Sequence, residues 1–169
     1  MGAIDGEPQV PVETADDLDR WLDANHATAS GCWVVTWKRH TGRPRPTSDD
    51  LVRTALRHGW IDSVPRRLDD ERTMLRISPR RSGSGWSGVN KRRIAELEAE
   101  GRMTPWGSAV VEAARADGSW TLLDAVTALI VPDDLGAALA EEGLREAWDG
   151  LAPSVRRGAL EQLLTAKRP

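Results

Sequence analysis

The stretch His58-Gly59-Trp60-Ile61-Asp62, then Leu68-Asp69-Asp70-Glu71-Arg72, then Ile77-Ser78-Pro79-Arg80-Arg81-Ser82-Gly83-Ser84-Gly85-Trp86-Ser87-Gly88-Val89-Asn90 decides how this chain is read. Residues 60–68 form an extended segment broken at Pro65. Residues 71–78 alternate, with Thr73, Leu75 and Ile77 on one face and Met74, Arg76 and Ser78 on the other, the period of a strand. Asp69-Asp70 supplies the turn between them. The reading is therefore strand, turn, strand, followed by a Ser/Gly-rich loop over residues 79–88. Two indoles, one carboxylate and a dense set of arginines share this short span. Neither a plain core nor a plain surface needs that mixture, so it marks the functional surface, and it points to binding more than to a reaction.

Upstream, residues 1–12 carry two prolines and no periodicity and read as a loose terminus. A helix starts at Thr14 or Ala15, with Asp16, Asp17 and Asp19 near its positive end. Leu18, Trp21 and Leu22 form its core face. Trp33-Val34-Val35-Thr36-Trp37-Lys38 is a strand with Trp33, Val35 and Trp37 on one face. Two readings of those indoles stand, as core or as pocket wall. Ser48 suits an N-cap, and Val52, Ala55 and Leu56 give a helix that ends at Gly59.

Downstream the character turns helical. Ser87 caps a helix through Ile94 and Leu97, and Thr104 with Pro105 opens the next. Residues 119–131 are apolar and ambiguous. Pro132-Asp133-Asp134-Leu135, the Leu144–Trp148 segment and the one carrying Leu160, Leu163 and Leu164 complete the series. The expectation is an α+β fold. A small antiparallel sheet carries the helix that ends at Gly59 in the N-terminal half, and the C-terminal half is helical. Residues 1–13 are expected to be loose and residues 14–169 to form one compact domain, with an α+β half over 14–86 and a helical half over 87–169.

At 169 residues, with 40% hydrophobic and 29% charged, the composition is that of a globular domain with a sizeable core. No apolar run reaches the roughly 18 residues of a membrane helix. Met1–Val12 has no basic segment followed by an apolar core, and the single cysteine, Cys32, has no internal partner, so a cytoplasmic setting is expected. Residues 33–93 hold 15 Lys and Arg against 6 Asp and Glu, while the flanks hold 8 against 20. A basic middle between acidic ends fits an anionic partner, or acidic helices lying against the basic segment. The 8 Trp, with no Phe or Tyr, must serve both as core and as any aromatic wall.

Known chemistries leave few traces. The segment Gly83–Gly88 lacks the Lys-Ser pair and the preceding strand of a phosphate loop, though small residues before a helix can hold an anion beside Arg80, Arg81 and Lys91. His26, His40 and His58 lie far apart and no His or Cys pair has metal-ligand spacing, so neither a metal nor a cofactor is expected. Cys32 opens an apolar strand and reads as an inert thiol. Asp62, in an apolar context with arginines at 66, 67 and 76 in reach, is either a general base or a structural ion pair. Arginines at 39, 43, 45, 66, 67, 76, 80, 81, 92 and 93 allow phosphate contacts with indoles stacking on bases, but a pI near 5.7 and no basic tail argue against nucleic acid.

Taken in order, Gly59-Trp60-Ile61-Asp62, Leu68-Asp69-Asp70-Glu71-Arg72, Pro79-Arg80-Arg81, Trp86-Ser87, Asn90, Glu100-Gly101-Arg102-Met103-Thr104-Pro105 and Ala166-Lys167-Arg168-Pro169 carry a resemblance. The chain resembles the YdeI/OmpD-associated family, whose C-terminal portion is described as a bacteriocin-protection domain. The family usually has Cys-Phe where this chain has Arg57-His58, Gly where it has Ser63, and an aromatic where it has Thr73-Met74. His58 thus puts a titratable group beside Trp60. The resemblance implies a cytoplasmic bacterial protein linked to protection against bacteriocins or antimicrobial peptides, and no catalytic mechanism.

The leading expectation is a cytoplasmic self-resistance protein that binds an amphipathic or aromatic small molecule or peptide. Trp37, Trp60 and Trp86 give the apolar walls, and Asp62, Arg76, Arg80, Arg81 and Asn90 the polar anchors. The alternative is a small enzyme with Asp62 or His58 as acid/base on an anionic substrate. A nucleic-acid binder is the third reading. None of them includes membrane insertion.

Overall fold

The computed structural model describes residues 6–166. Its frame is a four-stranded sheet of β1 (Gln9–Pro11), β2 (Cys32–Trp37), β3 (Trp60–Arg67) and β4 (Arg72–Pro79) in the order β1-β2-β4-β3. The strand–turn–strand read from residues 60–78 is the antiparallel pair β3–β4, with Trp60 opposite Pro79 and Arg67 opposite Thr73. A register shift between Asp62 and Pro65 absorbs the proline, which has no N–H to donate to a ladder. Strand β2 pairs antiparallel with β4, Val34 opposite Leu75. Among the described residues the α-helices are α1 (Ala15–Asn25), α2 (Ser48–Arg57), α3 (Gly88–Ala99), α4 (Pro105–Ala116), α5 (Asp124–Thr127), α6 (Asp133–Glu141), α7 (Arg145–Gly150) and α8 (Pro153–Ala166). The class is α+β with a helical C-terminal half.

Two expectations need correction. The loose segment of residues 1–13 contains β1, which runs parallel to β2 with Val10 opposite Val34, so the sheet is mixed. Three residues between prolines offer no alternation to read. They are held by the backbone instead, through Trp33 N–H to Pro8 O at 2.9 Å and Val12 N–H to Val35 O at 2.9 Å. Residues 1–5 of that segment lie outside the described residues. The N-cap of α2 is Thr47, one residue earlier than expected, because Thr47 closes a capping box with Asp50. Thr14 does the same with Asp17 at the head of α1. Such caps contribute about 1 kcal/mol each. The Thr47 hydroxyl holds the Asp50 carboxyl below its ordinary range.

Period-two alternation sorts β2 between two buried layers. Cys32 and Val34 face α1 and α2, in a core with Leu18, Leu22, Leu51, Ala55, Trp60 and Ile77. Trp33 and Val35 face the other way, against Met74 and Leu68, and Arg66 lies over the Trp33 ring at 4.6 Å. A third cluster joins the halves: Val52 and Leu56 of α2, Trp86 of the loop before α3, Ile94 and Leu97 of α3, and Val111 and Ala114 of α4. A fourth, around Val126, Trp148 and Leu160, holds the last helices together.

Helix α4 is locked to the end of α2 by backbone. The Arg57 carbonyl accepts from Thr104 N–H at 3.1 Å and from Thr104 Oγ1 at 2.7 Å. A Cβ at Gly107 would lie 2.1 Å from that same Arg57 oxygen, a contact backbone cannot relieve by a rotamer change. Gly107→Ala should therefore destabilise by about 2–3 kcal/mol, the upper range of overpacking. Gly158 in α8 meets nothing within 4 Å. Gly158→Ala should stabilise by about 0.5–1 kcal/mol through helix propensity. Urea unfolding of the two variants checks both signs.

Candidate functional site

The loop after β4 leaves the sheet at Arg80, whose N–H donates to Gly59 O at 3.0 Å. Gly59 sits at φ +74, the left-handed conformation that ends α2 and that a side chain would resist. This places residues 80–86 against α4. Trp86 is 1% exposed and packs on Trp120, ring centroids 5.0 Å apart. The Arg80 guanidinium lies over the Trp86 ring, 3.8 Å from its centroid. Its Nη2 donates to Gly85 O and weakly to Ser84 O. Its Nε is enclosed and has no partner. Among the described residues no carboxylate pairs with this cation, and burial pushes it down to about 10, so it remains protonated at neutral pH.

Beside the stack is a pocket of about 100 Å³. The loop contributes Arg80, Arg81, Ser82, Gly83 and Trp86, and α4 with its following turn contributes Val110, Ala113, Ala114, Asp117 and Ser119. Asp117 is held below the ordinary carboxylate range, first by the Ser119 side chain and backbone and then by Gly83 and Ser82. Its Oδ1 accepts from Ser119 N–H at 2.8 Å, and its Oδ2 faces Ser82 Oγ at 3.4 Å. The carboxylate thus ties the loop to the end of α4. The arrangement can hold an anionic group against a desolvated cation, with an apolar wall beside it.

Of the residues singled out from sequence, Arg80, Arg81 and Trp86 meet at this pocket. The others lie elsewhere. Trp60 is fully buried in the core under Trp21, centroids 5.9 Å apart and edge to face. Trp37 ends β2 beside a hollow of about 340 Å³ that Glu13, Asp17 and Arg72 help to line. There its Nε1 donates to Glu13 at 3.1 Å, and Arg43 covers its ring at 4.2 Å. Arg76 forms a bidentate pair with Glu7, at 2.8 and 2.7 Å. Asn90 accepts from Arg93 at 2.9 Å. Asp62 is half-buried on β3 opposite Ile77. Arg76 and Arg67, which its sequence position put in reach, are taken by Glu7 and Asp70.

His58 is fully buried, with Nε2 against Asp19 Oδ1 at 2.8 Å. Arg57 holds the other Asp19 oxygen at 2.6 Å. Neither His58 nor Asp62 lines the Arg80 pocket. The wall from α4 was not singled out from sequence. These residues belong to the helix that Thr104 and Pro105 open, and nothing local in the sequence shows which loop packs on it.

Two families match this chain. Residues 10–110, more than half of it, match the family described as Domain of unknown function (DUF8412), and the chain belongs to that family. Residues 128–169 match the family described as Bacteriocin-protection, YdeI or OmpD-Associated. The expected resemblance is thus present as a partial match over α6, α7 and α8, and it suggests a role related to bacteriocin protection. The central motifs from Gly59 to Asn90 fall within the first match, and Lys167-Arg168-Pro169 lie outside the described residues. No curated protein and no solved structure matches the chain. Among the described residues no helix is long and apolar enough to cross a membrane.

The geometry separates the two titratable candidates by the cost of removing them. His58→Ala should cost about 2–4 kcal/mol, since it empties a filled core position and takes a partner from Asp19. Asp62→Asn should stay within about 0.5 kcal/mol. Urea denaturation of both variants measures the difference.

Proposed function

We propose that this protein is a binding protein of the protection type, which holds a ligand by its anionic group at the Arg80–Trp86 pocket. The observation that carries the reading is the cation itself. Arg80 is partly desolvated, placed over an indole, and free of any carboxylate among the described residues. A guanidinium in that state has donors to spare, and an anion that reaches it gains a charge-assisted pair in a medium less polar than water. Arg81 adds a second positive charge at the exposed rim. The match to the bacteriocin-protection family supports a protective rather than a metabolic role. A cytoplasmic setting belongs to the same proposal.

The pocket's size bounds what enters it. About 100 Å³ is well below the ~300–1,000 Å³ of drug-sized sites, so the pocket takes one group of a ligand and not the whole. Of the apolar walls expected from Trp37, Trp60 and Trp86, this reading keeps the Trp86 indole, with a cation over it.

Tryptophan fluorescence against a panel of anionic and neutral antibiotics and peptides tests the reading, with mass spectrometry of the recovered ligand. Anionic members should perturb the emission and be recovered unchanged in mass. Arg80→Gln should weaken them by about tenfold to a hundredfold, the equivalent of a lost hydrogen-bonded charge. Arg80→Lys should fall between, because an ammonium keeps the charge and loses the guanidinium's contact with the Trp86 ring and the Gly85 carbonyl. The Arg80 value is depressed, so the cation is present below about 10 and lost as pH rises through it. Affinity should hold between about pH 6 and 9 and decline above. Equal binding by the wild type and Arg80→Gln would sink the proposal, and a changed ligand mass would replace it with catalysis.

A further inference from the structure

Trp106 opens α4 with 47% of its surface exposed, although it is among the largest apolar side chains. It stands edge to face with His26, ring centroids 5.2 Å apart. Four residues on, and so on the same side of the helix, is Val110. The two side chains meet over Gly59. A Cβ there would lie 2.8 Å from Val110 Cγ2 and 3.4 Å from Trp106 Cδ1. Val110 is also a wall of the Arg80 pocket, followed along the helix by Ala113 and Asp117. One apolar path therefore runs from the exposed indole of Trp106, across Val110, to the unpaired guanidinium of Arg80. The Gly59 backbone borders the whole of it, because its oxygen also accepts from Arg80 N–H.

We infer that the ligand is an apolar carboxylate: a monoanionic head at Arg80 with a hydrocarbon or side-chain body lying on Val110 and Trp106. This rests on the reading of Arg80 as an anion anchor and names the chemistry of what it anchors. A carboxylate fits better than a phosphate for two reasons. The guanidinium lies over the Trp86 ring, with Nη2 turned to Gly85 O and Ser84 O and Nε enclosed. Nη1 remains without a partner among the described residues, and one donor nitrogen serves a two-oxygen head better than a three-oxygen one. Asp117 also stands in the pocket wall, fully anionic, and it repels a dianion about twice as strongly as a monoanion at the same distance. The body is apolar because Val110 and Ala113 offer it no hydrogen-bonding side chain, and the exposed Trp106 face buries apolar area when covered. The carboxylate can come from the terminus of a peptide or from a free acid, and both present the same head and body.

Calorimetric titration of the full chain with acetate, hexanoate and hexanamide tests this, with N-acetyl-trileucine as free acid and as amide for the peptide source. Hexanoate should bind at least tenfold tighter than acetate and at least tenfold tighter than hexanamide. Trp106→Ala should bring hexanoate down to the level of acetate while acetate stays unchanged. Ala113→Glu, a substitution at an exposed position of the same stripe, should weaken hexanoate at least tenfold with the unfolding midpoint preserved. A tighter response to the trileucine acid than to hexanoate supports a peptide terminus as the source, and the reverse supports a free acid. If acetate and hexanoate bind equally and both depend on Arg80, the apolar path is refuted and the anion anchor survives. If neither responds to Arg80→Gln, the anchor itself fails, and this inference with it.

Discussion

The structure depends on how α2 ends. Two backbone atoms at its C-terminus, the carbonyls of Arg57 and Gly59, are claimed by segments far away in the chain. Thr104 takes the first with both its N–H and its hydroxyl, and Arg80 N–H takes the second. Helix carbonyls at a C-terminus have no partner within the helix, and a buried one left unpaired costs about as much as a lost hydrogen bond. Here satisfying them does topological work. It fixes α4 across the end of α2 and starts the 80–86 loop at the same point. Gly59 must be glycine for two reasons, its positive φ and the Val110 and Trp106 side chains that occupy the space of a Cβ. The pocket exists because these three segments converge there.

Electrostatics follow the same geometry. Part of the basic middle pairs with the acidic flanks within the fold. Arg76 takes Glu7, Arg57 takes Asp19, Arg53 takes Glu96 and Glu100, and Lys91 takes Asp124, while Arg93 takes Asp49 inside the middle itself. Of these, the Arg76–Glu7 pair is well enclosed, with side chains 17% and 9% exposed, and it fastens the segment before β1 to the sheet. Pairs with one exposed member are individually small, about 0–1 kcal/mol. Among the cations of the middle without a carboxylate partner, Arg80 is distinguished by its burial and its place over the Trp86 ring.

How much of this was legible in the sequence depends on the range of the contacts involved. The β3–β4 pair and the caps of α1 and α4 are local, decided by neighbours one to four residues apart, and the residues themselves announce them. Strand β1 is held by backbone bonds to a strand more than twenty residues later, and its side chains carry no pattern, so it was invisible. The candidate site divides in the same way. Arg80, Arg81 and Trp86 are close in sequence and were legible as a group. Trp60, Arg76 and Asn90 are equally close but are carried away by the strand period, the Glu7 pair and the turn of α3. Adjacency along a strand sends alternate side chains to opposite faces, and the residues from α4 needed the fold itself.

The absence of Phe and Tyr gives the indoles uneven duties. Trp33, Trp60 and Trp86 are all nearly or fully buried, and the indole N–H of Trp60 is enclosed without a partner, a cost a phenylalanine would not carry. At Trp86 the wide, electron-rich face has a use that a smaller ring serves less well, since it is the better platform for a desolvated cation. The stack offsets part of the expense of burying Arg80, by roughly 2 kcal/mol in a dry setting. The enclosed Nε shows that the offset is incomplete. On the proposed reading, an anion paired with Arg80 Nη1 would offset more of that penalty, and the gain would appear both as affinity for the ligand and as stability of the liganded fold. On that reading, a loop built around an unpaired cation would be coupled to its ligand through its own packing.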